Sequence, residues 1–319
     1  MTTRRLRFLR HHLGVGVATF CVLASSTAAF AQDKLPAAVS TAEVAKQVRS
    51  SLAISKVPKV LATPLTKMST DHVDRYYPTL KIGCYNYSAA CTFGSAKAKK
   101  TLVLLGDSHA SMWAPAVIPT ALAAGYKVVV LWYPNCPAAD VTPFNLGRGS
   151  LDANCVTWHH RIFSDIAKAK PNVVILSEAT SLAQSDASTL FSPEAWQSGL
   201  EKTITALKSS STKILMLSDI PVRSETPSTC LARNLTTVQT CTTPLVNADP
   251  ALRQLTAAEN AAAVAKGAKF VSLTSLICAS SCSPIVGTHV TYFDTNHLAS
   301  SYAATIRTAV WAALVKAIG

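Results

Sequence analysis

The stretch Thr101-Leu102-Val103-Leu104-Leu105-Gly106-Asp107-Ser108-His109 joins an apolar run to a polar turn. The apolar run predicts a buried strand, and the small and polar residues after it are typical of a turn that leads into a helix. A purely structural interpretation of the turn is available, because Asp107 or Ser108 can serve as the helix N-cap while Gly106 makes the tight bend.

Strand and helix patterns alternate along the rest of the chain. Apolar runs predict four more strands, at residues 127–132, 172–177, 213–217 and 269–271. Near-continuous apolar strands separated by helices indicate a parallel sheet that is covered on both faces. With right-handed crossovers, this predicts an α/β protein, a three-layer α/β/α sandwich around a parallel five-stranded sheet. The predicted helices lie at residues 41–51, 108–123, 152–168, 193–209, 250–266 and 297–318.

The N-terminal segment has the layout of a secretory signal. Four arginines precede an apolar stretch over residues 13–24, which is followed by small residues up to Ala31. We predict a signal peptide over residues 1–31, cleaved after Ala31. An uncleaved membrane anchor is the alternative, but the apolar stretch is shorter than the ~20 residues that a membrane span needs. We therefore expect an exported protein, periplasmic or extracellular, with no stable membrane insertion after signal cleavage.

Cysteine usage agrees with export. One of the nine cysteines, Cys21, lies in the predicted signal peptide, and the even number that remains predicts a disulfide framework. A metal site is the competing interpretation, but no two cysteines have CxxC spacing, so we expect no metal and no other cofactor. Proximity along the chain suggests four local disulfides: Cys84–Cys91, Cys136–Cys155, Cys230–Cys241 and Cys278–Cys282.

Composition and charge bound the domain organisation and the partners. Residues 32–100 contain several prolines and no clear hydrophobic period, so we predict an N-terminal extension that wraps a main domain over residues 101–319. The formal net charge of +13 is spread over the chain. It indicates a solvated basic surface or a loose attraction to anionic envelope polymers or lipids. No nucleic-acid motif accompanies the charge, and we expect no nucleic-acid partner.

A second polar segment, Asp294-Thr295-Asn296-His297, lies where the last predicted helix begins. Ligand sites of open α/β sheets form at the carboxyl ends of the strands, which is where Ser108 is expected. A serine, a histidine that takes its proton and a carboxylate that orients the histidine form a nucleophilic triad for attack on an acyl carbonyl. We interpret Ser108 as nucleophile, His297 as base and Asp294 as the orienting acid. The alternative is that Asp294 only caps the helix.

The other polar residues near this edge receive structural interpretations. His109 is expected to pack or to cap in the first helical turn, with a role in proton transfer as the alternative. Glu178 is expected to be a hydrogen-bonded loop carboxylate, with a role as a second acid near the site as the alternative. Asp219 follows the fourth predicted strand and is at most a substrate contact.

The segment Gly106-Asp107-Ser108-His109-Ala110-Ser111-Met112-Trp113-Ala114-Pro115-Ala116 resembles the first block of the SGNH/GDSL hydrolase superfamily. More narrowly, it resembles the SGNH domain that is usually fused behind membrane-bound acyltransferase-3 proteins, which O-acylate bacterial surface glycans. Tyr292-Phe293-Asp294-Thr295-Asn296-His297-Leu298 is similar to the closing DxxH block of that family, and Asn135-Cys136-Pro137 is similar to its second block. The likeness extends from about residue 48 to the C-terminus. It implies a flavodoxin-like SGNH fold, here in a stand-alone exported chain.

Two family positions differ in this sequence. The asparagine of the block after the third strand is absent from Leu176-Ser177-Glu178-Ala179-Thr180-Ser181, and the glycine of the second block is replaced within Tyr133-Pro134-Asn135-Cys136. The resemblance therefore implies an oxyanion hole formed by the Ser108 backbone N–H and by an N–H near Asn135 or Cys136. Ser177 and Thr180 are weaker candidates for this role.

These features predict an exported SGNH-type serine ester hydrolase or O-acyltransferase that works through a Ser108 acyl-enzyme. The expected substrates are O-acyl groups, with acetyl foremost, of envelope or secreted carbohydrates, or other small acyl esters. A separate membrane protein that donates acyl groups is an open possibility. Hydrolysis and transfer share the acyl-enzyme step, so the triad does not distinguish them. The alternative hypothesis is a non-catalytic glycan-binding envelope module with a vestigial SGNH site.

Overall fold

Six strands form the central sheet of the computed structural model, which describes residues 38–209, 211–245 and 249–319. The predicted signal peptide, residues 1–31, lies outside the described residues. The strands follow the spatial order β1-β3-β2-β4-β5-β6, and all neighbours are parallel except β1 and β3. Their bounds are β1 Thr92–Phe93, β2 Lys100–Gly106, β3 Tyr126–Trp132, β4 Val173–Ser177, β5 Lys213–Leu217 and β6 Lys269–Val271.

The predicted sheet is correct in its five parallel strands but lacks β1. This strand has only two residues and pairs antiparallel with β3 at the edge of the sheet. Two residues carry no readable alternation of apolar and polar side chains, so the sequence pattern did not reveal them. Because β1 lies in the predicted N-terminal extension, residues on both sides of the expected boundary at residue 100 share one sheet.

Helices cover both faces of the sheet and confirm the three-layer sandwich. Leu102 and Leu104 of β2 belong to one apolar cluster, and Val103 and Leu105 belong to the other. This alternation is what a strand buried on both faces requires. Four helices contribute residues to the first cluster, on one face of the sheet. They are α1, Thr41–Ser51; α3, Ala114–Ala123; α8, Ser300–Thr305; and α9, Arg307–Ile318. The second contains residues of α4, Ala153–Ala169; α5, Pro193–Leu207; and α7, Pro250–Lys266. Two short helices complete the set, α2, Ser108–Met112, and α6, Pro227–Arg233.

Two predicted helices are divided in the structure. The helix expected over residues 108–123 is split at Trp113 into α2 and α3, because Pro115 has no N–H to donate to a carbonyl four residues earlier. The helix expected over residues 297–318 begins only at Ser300 and is split at Ile306. The prediction that His297 starts the last helix is therefore wrong. His297 lies in the turn before α8.

The N-terminal region is attached to α8 by a buried carboxylate. Asp71 accepts hydrogen bonds from the Thr63 hydroxyl (2.6 Å), the Ser301 hydroxyl (2.6 Å) and the Ser301 backbone N–H (3.0 Å). Asp71 is completely buried. These bonds hold the first turn of α8, and the segment that precedes it, against residues 63–71.

Four disulfides pin loops around this framework, and they are the pairs that proximity along the sequence suggested: Cys84–Cys91, Cys136–Cys155, Cys230–Cys241 and Cys278–Cys282. Among the described residues, no helix combines the length and the apolar character that crossing a membrane requires.

Candidate active site

The carboxyl ends of the three central strands lie at one level. Gly106 at the end of β2 pairs with Trp132 of β3 on one side and with Ser177 of β4 on the other. Ser108 follows Gly106 at the start of α2, so its hydroxyl emerges at the edge where open α/β sheets bind ligands.

Ser108, His297 and Asp294 are in hydrogen-bond contact. The His297 Nε2 atom lies 2.8 Å from the Ser108 Oγ atom, and the His297 Nδ1 atom lies 2.7 Å from Asp294 Oδ2. A hydroxyl, an imidazole and a carboxylate linked in this order are the geometry of a nucleophile, its base and the group that orients the base.

The turn before α8 holds the side chains of Asp294 and His297 in contact. Asp294 Oδ1 accepts hydrogen bonds from the backbone N–H groups of Asn296 (3.0 Å) and His297 (2.7 Å), while its Oδ2 contacts the imidazole. Burial opposes ionisation of Asp294, but the hydrogen bonds from His297 and Asn296 hold the pKa of this carboxyl below its usual value. Asp294 is therefore ionised at neutral pH and can accept a hydrogen bond from His297 Nδ1.

Gly106 allows β2 and β4 to approach closely beside Ser108. Its φ angle is +152°, and a Cβ atom added there would lie 1.8 Å from the Ser177 carbonyl oxygen. Any side chain would push the strand ends apart and move Ser108 with them. Asp107 then caps α2, because its Oδ1 accepts the His109 backbone N–H at 2.8 Å.

Two rings contact the His297 imidazole. The Phe293 ring is stacked on it with centroids 5.4 Å apart and planes at 17°, and the His109 ring meets it edge-on at 4.8 Å and 62°. These contacts restrict rotation of the imidazole about its side-chain bonds.

His109 and Asp219 form a buried pair that the sequence did not indicate. The His109 Nδ1 atom lies 2.6 Å from Asp219 Oδ1, and both side chains are almost fully shielded from solvent. Asp219 also accepts hydrogen bonds from the Ile220 N–H (2.7 Å) and from the Thr180 N–H and hydroxyl (both 2.8 Å). His109 is buried, as the packing interpretation expects, but it is also paired with a carboxylate that the sequence did not point to, and Asp219 faces this histidine inside the protein.

Two more acids, Glu178 and Glu259, are buried and interact with Asp219. Glu178 Oε2 accepts the Ala139 N–H at 3.0 Å, and burial together with the charge of Asp107 raises the pKa of Glu178 to about 8. Burial also raises the pKa of Glu259 on α7 well above its usual value. Glu259 was not predicted as a site residue, although its place in an apolar stripe with Leu255 and Ala262 marks it as a buried acid.

Residues 75–312 match the family model described as the SGNH domain (fused to AT3 domains). The chain belongs to this family. Because the match covers well over half of the sequence, it confirms the resemblance found in the sequence motifs. No curated protein matches the sequence.

Several solved structures are similar to this chain. The periplasmic domain of a lipopolysaccharide acetyltransferase from Salmonella ser. Paratyphi A is 17% identical, with a TM-score of 0.57 over 76% of this chain and 97% of that one. A putative acylhydrolase from Bacteroides fragilis is 13% identical, with a TM-score of 0.46 over 78% and 98%. A carbohydrate acetylesterase from Sinorhizobium meliloti is 13% identical, with a TM-score of 0.44 over 69% and 100%. At 17% identity, the likeness to the acetyltransferase domain shows the fold alone.

The turn over residues 133–136, where the oxyanion contact is expected, departs from the family pattern in its sequence. Tyr133–Cys136 forms a β-turn in which the Cys136 N–H donates to the Tyr133 carbonyl at 3.1 Å, so this N–H is already engaged. Asn135 occupies the left-handed region with φ 58°, a conformation that glycine adopts without strain. Within the part of the chain that the structure describes, the backbone N–H groups of Ser108 and Asn135 donate no hydrogen bond. The two weaker candidates for the oxyanion contact, Ser177 and Thr180, are engaged elsewhere. The Ser177 hydroxyl donates to the His109 carbonyl (3.4 Å), and the Thr180 hydroxyl donates to Asp219 (2.8 Å).

A histidine also lies beside the disulfide that closes this turn. His159 Nε2 is 2.8 Å from the Pro137 carbonyl and 3.4 Å from Cys136 Sγ, and Cys155 lies four residues before it in α4. Metal ligation by cysteine requires a thiolate, and both sulfurs are bonded to each other. Burial lowers the pKa of His159 to about 4, so the ring is neutral and packs against Phe163.

Proposed function

We propose that this SGNH domain is an exported serine ester hydrolase or O-acyltransferase that acts on O-acyl groups, with acetyl foremost, of envelope or secreted glycans. The observation that carries the proposal is the contact of 2.8 Å between Ser108 Oγ and His297 Nε2, with Asp294 bound to the other ring nitrogen. In this arrangement the imidazole is placed to accept the serine proton directly.

The reaction begins when the Ser108 oxygen attacks the acyl carbonyl while His297 takes its proton. The backbone N–H groups of Ser108 and Asn135 stabilise the oxyanion of the tetrahedral intermediate. His297 then gives the proton to the departing group, which is the sugar oxygen in hydrolysis and the donor's leaving group in transfer, and the acyl group remains on Ser108. Asp294 holds the ring in the tautomer that presents Nε2 to the hydroxyl and stabilises the imidazolium as it forms.

The second half of the reaction decides between hydrolysis and transfer. Water that attacks the acyl-enzyme gives hydrolysis, and a sugar hydroxyl gives transfer. In a transfer reaction the acyl group comes from a separate donor, for which a membrane acyltransferase-3 protein is the partner we propose. The fold shared with a lipopolysaccharide acetyltransferase domain supports glycans as the substrate class. The four disulfides support an exported location.

The decisive experiment measures acyl turnover of the purified protein on 4-nitrophenyl acetate, with and without an added glycan acceptor. We expect turnover in the wild-type protein, faster release of 4-nitrophenol with acceptor if transfer operates, and loss of turnover in Ser108→Ala. The matched control is Ser275→Ala, an exposed serine outside the site, which should behave like the wild type. Full activity of Ser108→Ala would refute the assignment.

Covalent labelling separates this proposal from a vestigial glycan-binding module. A fluorophosphonate probe should label Ser108 in the wild type and leave His297→Ala unlabelled, since the probe needs an activated hydroxyl. A protein that binds glycan yet resists the probe at all pH values would favour the binding module.

A further inference from the structure

The positive charge that is spread along the sequence is concentrated in space, at the edge of the sheet opposite Ser108. Strands β2, β5 and β6 begin at Lys100, Lys213 and Lys269, and Lys127 is the second residue of β3. Each parallel strand begins within two residues of the level at which its hydrogen-bonded neighbour begins. The amino ends of the five strands therefore form one continuous edge.

Helix ends add further lysines to this edge. Helices that connect parallel strands run antiparallel to them, so their last turns lie beside the amino ends of the strands. The last turns of α4, α7 and α9 contain Lys168, Lys266 and Lys316. Eleven lysines, all exposed or partly exposed, form this surface, which we call the lysine edge. They are Lys97, Lys99, Lys100, Lys127, Lys168, Lys170, Lys208, Lys213, Lys266, Lys269 and Lys316.

Two surface cavities show that lysines from separate elements share this edge. The first is lined by lysines of α7, β5 and β6 and of the residue after α5: Lys208, Lys213, Lys266 and Lys269. The second is lined by Lys269, by Lys316 and by Thr41 at the start of α1. The positive charges therefore lie side by side, although more than 200 positions separate Lys97 from Lys316.

Few acids balance these charges. Glu201 of α5 forms an ion pair with Lys266 at 3.2 Å. Asp165 lies one turn before the end of α4, and Glu43 lies in the first turn of α1. Even if all three carboxylates act on the lysine edge, most of its ammonium groups are uncompensated.

Helix capping explains only part of the arrangement. The Lys208 Nζ atom donates to the Lys266 carbonyl at 2.9 Å and so satisfies the end of α7. A helix C-terminus carries about half a negative charge, so the helices that end here supply only about two to three charges in total. After the three acids and the helix ends are taken into account, the lysine edge keeps a net charge of about +5.

The edge at Ser108 has the opposite character. Acids follow the carboxyl ends of β2, β4 and β5 within two residues: Asp107, Glu178 and Asp219. In the described chain, no lysine follows any of the five parallel strands within five residues. The protein thus carries a charge dipole along the strand direction, and an anionic surface attracts it by the lysine edge.

The chemistry of the lysine edge fits a broad anionic surface better than a single anionic group. Arginine is the residue that recognises one phosphate or carboxylate with two parallel hydrogen bonds, whereas lysine is a hydrated point charge on a flexible stem. Within the described residues, the strand and helix ends at this edge carry lysine and no arginine. The lysines also cover an area, about 20 Å across five strands, rather than a single line of charges. A bilayer contacts an area, whereas a polymer chain follows a line.

We propose that the lysine edge docks this protein on an anionic phospholipid surface by electrostatic attraction, without insertion, and that Ser108 then faces away from the bilayer. Each lysine close to such a surface strengthens binding by about fivefold. The seven residues of β2 separate the two edges by about 23 Å, which is more than twice the Debye length of about 8 Å in physiological salt. The acids near Ser108 are therefore screened from the lipid charge.

The test measures co-sedimentation of the purified protein with vesicles of phosphatidylcholine alone and of phosphatidylcholine mixed with phosphatidylglycerol. We expect binding to the mixed vesicles only. The bound fraction should fall as salt is added, because a shorter Debye length weakens the attraction between exposed charges.

Two variants of equal net charge test the location of the docking surface. The edge variant replaces four exposed lysines of the lysine edge by glutamine, and we expect its affinity for the mixed vesicles to fall by about tenfold or more. The control variant replaces four exposed lysines of residues 52–81, the region that Asp71 attaches to α8, and its affinity should change by less than about threefold. The edge variant carries Lys99→Gln, Lys168→Gln, Lys213→Gln and Lys269→Gln, and the control carries Lys56→Gln, Lys59→Gln, Lys67→Gln and Lys81→Gln.

Three outcomes would overturn the inference. They are the absence of binding to the mixed vesicles at low salt, equal losses of affinity in the two variants, and tighter binding to the anionic polysaccharide alginate than to vesicles of the same charge concentration. The last outcome would assign the lysine edge to a polymer instead. Vesicle binding does not depend on the chemistry of Ser108, so Ser108→Ala should bind as the wild type does whether or not the proposed function holds.

Discussion

The backbone N–H of Arg223 donates a hydrogen bond of 2.8 Å to the carbonyl oxygen of Thr295. This bond joins the segment after β5 to the turn that carries Asp294 and His297. The turn itself has no regular secondary structure, so its position depends on contacts of this kind. The side chain of Arg223 extends the connection to two disulfide loops, since its Nη2 donates to the Cys241 carbonyl at 2.6 Å and its Nη1 reaches the Cys282 carbonyl at 3.4 Å.

Replacement of Arg223 by methionine should loosen this turn. The guanidinium is buried and lies over the Tyr292 ring at 5.3 Å, so its removal leaves buried carbonyl groups without donors. We expect the free energy of unfolding to fall by about 2 kcal/mol and kcat to fall more than KM changes. Denaturant unfolding and steady-state kinetics provide the measurements. The control is Arg233→Met, which removes an exposed ion pair with Glu225 and should cost at most about 1 kcal/mol.

Gly106→Ala should disrupt the sheet edge at Ser108. The added Cβ would overlap the Ser177 carbonyl oxygen, so β2 and β4 must separate, and we expect a loss of about 3 kcal/mol or more in unfolding free energy together with loss of acyl turnover. Gly125→Ala is the matched control: it also has a positive φ, +81°, but a Cβ there meets nothing within 4 Å. That variant should lose only about 1 kcal/mol and keep its activity. Equal losses in the two variants would contradict the steric argument.

Asn135→Gly tests whether the backbone N–H or the side-chain amide of Asn135 makes the proposed oxyanion contact. Glycine keeps the left-handed backbone and the N–H but deletes the side-chain amide, so we expect kcat/KM within about threefold of the wild type. Asn135→Ala should lower activity more, because alanine strains the same φ of 58°. A loss of about a hundredfold or more in Asn135→Gly would instead assign the oxyanion contact to the side chain.

The buried Glu178 should make stability fall as the pH rises. Its pKa is raised from 4.5 to about 8, so the folded protein holds a proton that the unfolded chain releases between these values. The free energy of unfolding should therefore be highest below the unfolded pKa and decline until the pH passes the folded one. Glu178→Gln should remove part of this decline and be more stable than the wild type by about 1 kcal/mol or more in alkaline buffer. Exposed Glu194→Gln is the control. An unchanged slope in Glu178→Gln would refute the prediction.

Removal of the Cys136–Cys155 disulfide should affect both stability and the turn that presents Asn135. The two residues are 19 positions apart, and closing a loop of this size stabilises the fold by about 3 kcal/mol. The double replacement by serine should lower the unfolding midpoint accordingly and reduce acyl turnover. The same replacement at Cys278–Cys282, which are only 4 positions apart, should cost less. The opposite order of midpoints would contradict this account.

Local patterns in the sequence were enough to predict the five parallel strands and the polar residues of the candidate site. Five strands were predictable because a strand buried on both faces needs an uninterrupted apolar run, which is visible without knowledge of its neighbours. Ser108 was predictable as a polar residue at the end of such a run. The segment from Asp294 to His297 was predictable from its spacing, since a short turn can bring a carboxylate to an imidazole three residues away.

Only the tertiary structure decided which distant residues meet. His297 contacts Ser108 across 189 positions, and His109 binds Asp219 across 110, because parallel strands bring their carboxyl ends to one edge however far apart they lie in sequence. The burial of Glu259 also depends on how α7 packs. The periodicity of each helix and strand can be read from its own sequence. Charge pairing and desolvation involve residues of different elements, so they arise only when the helices pack against the sheet.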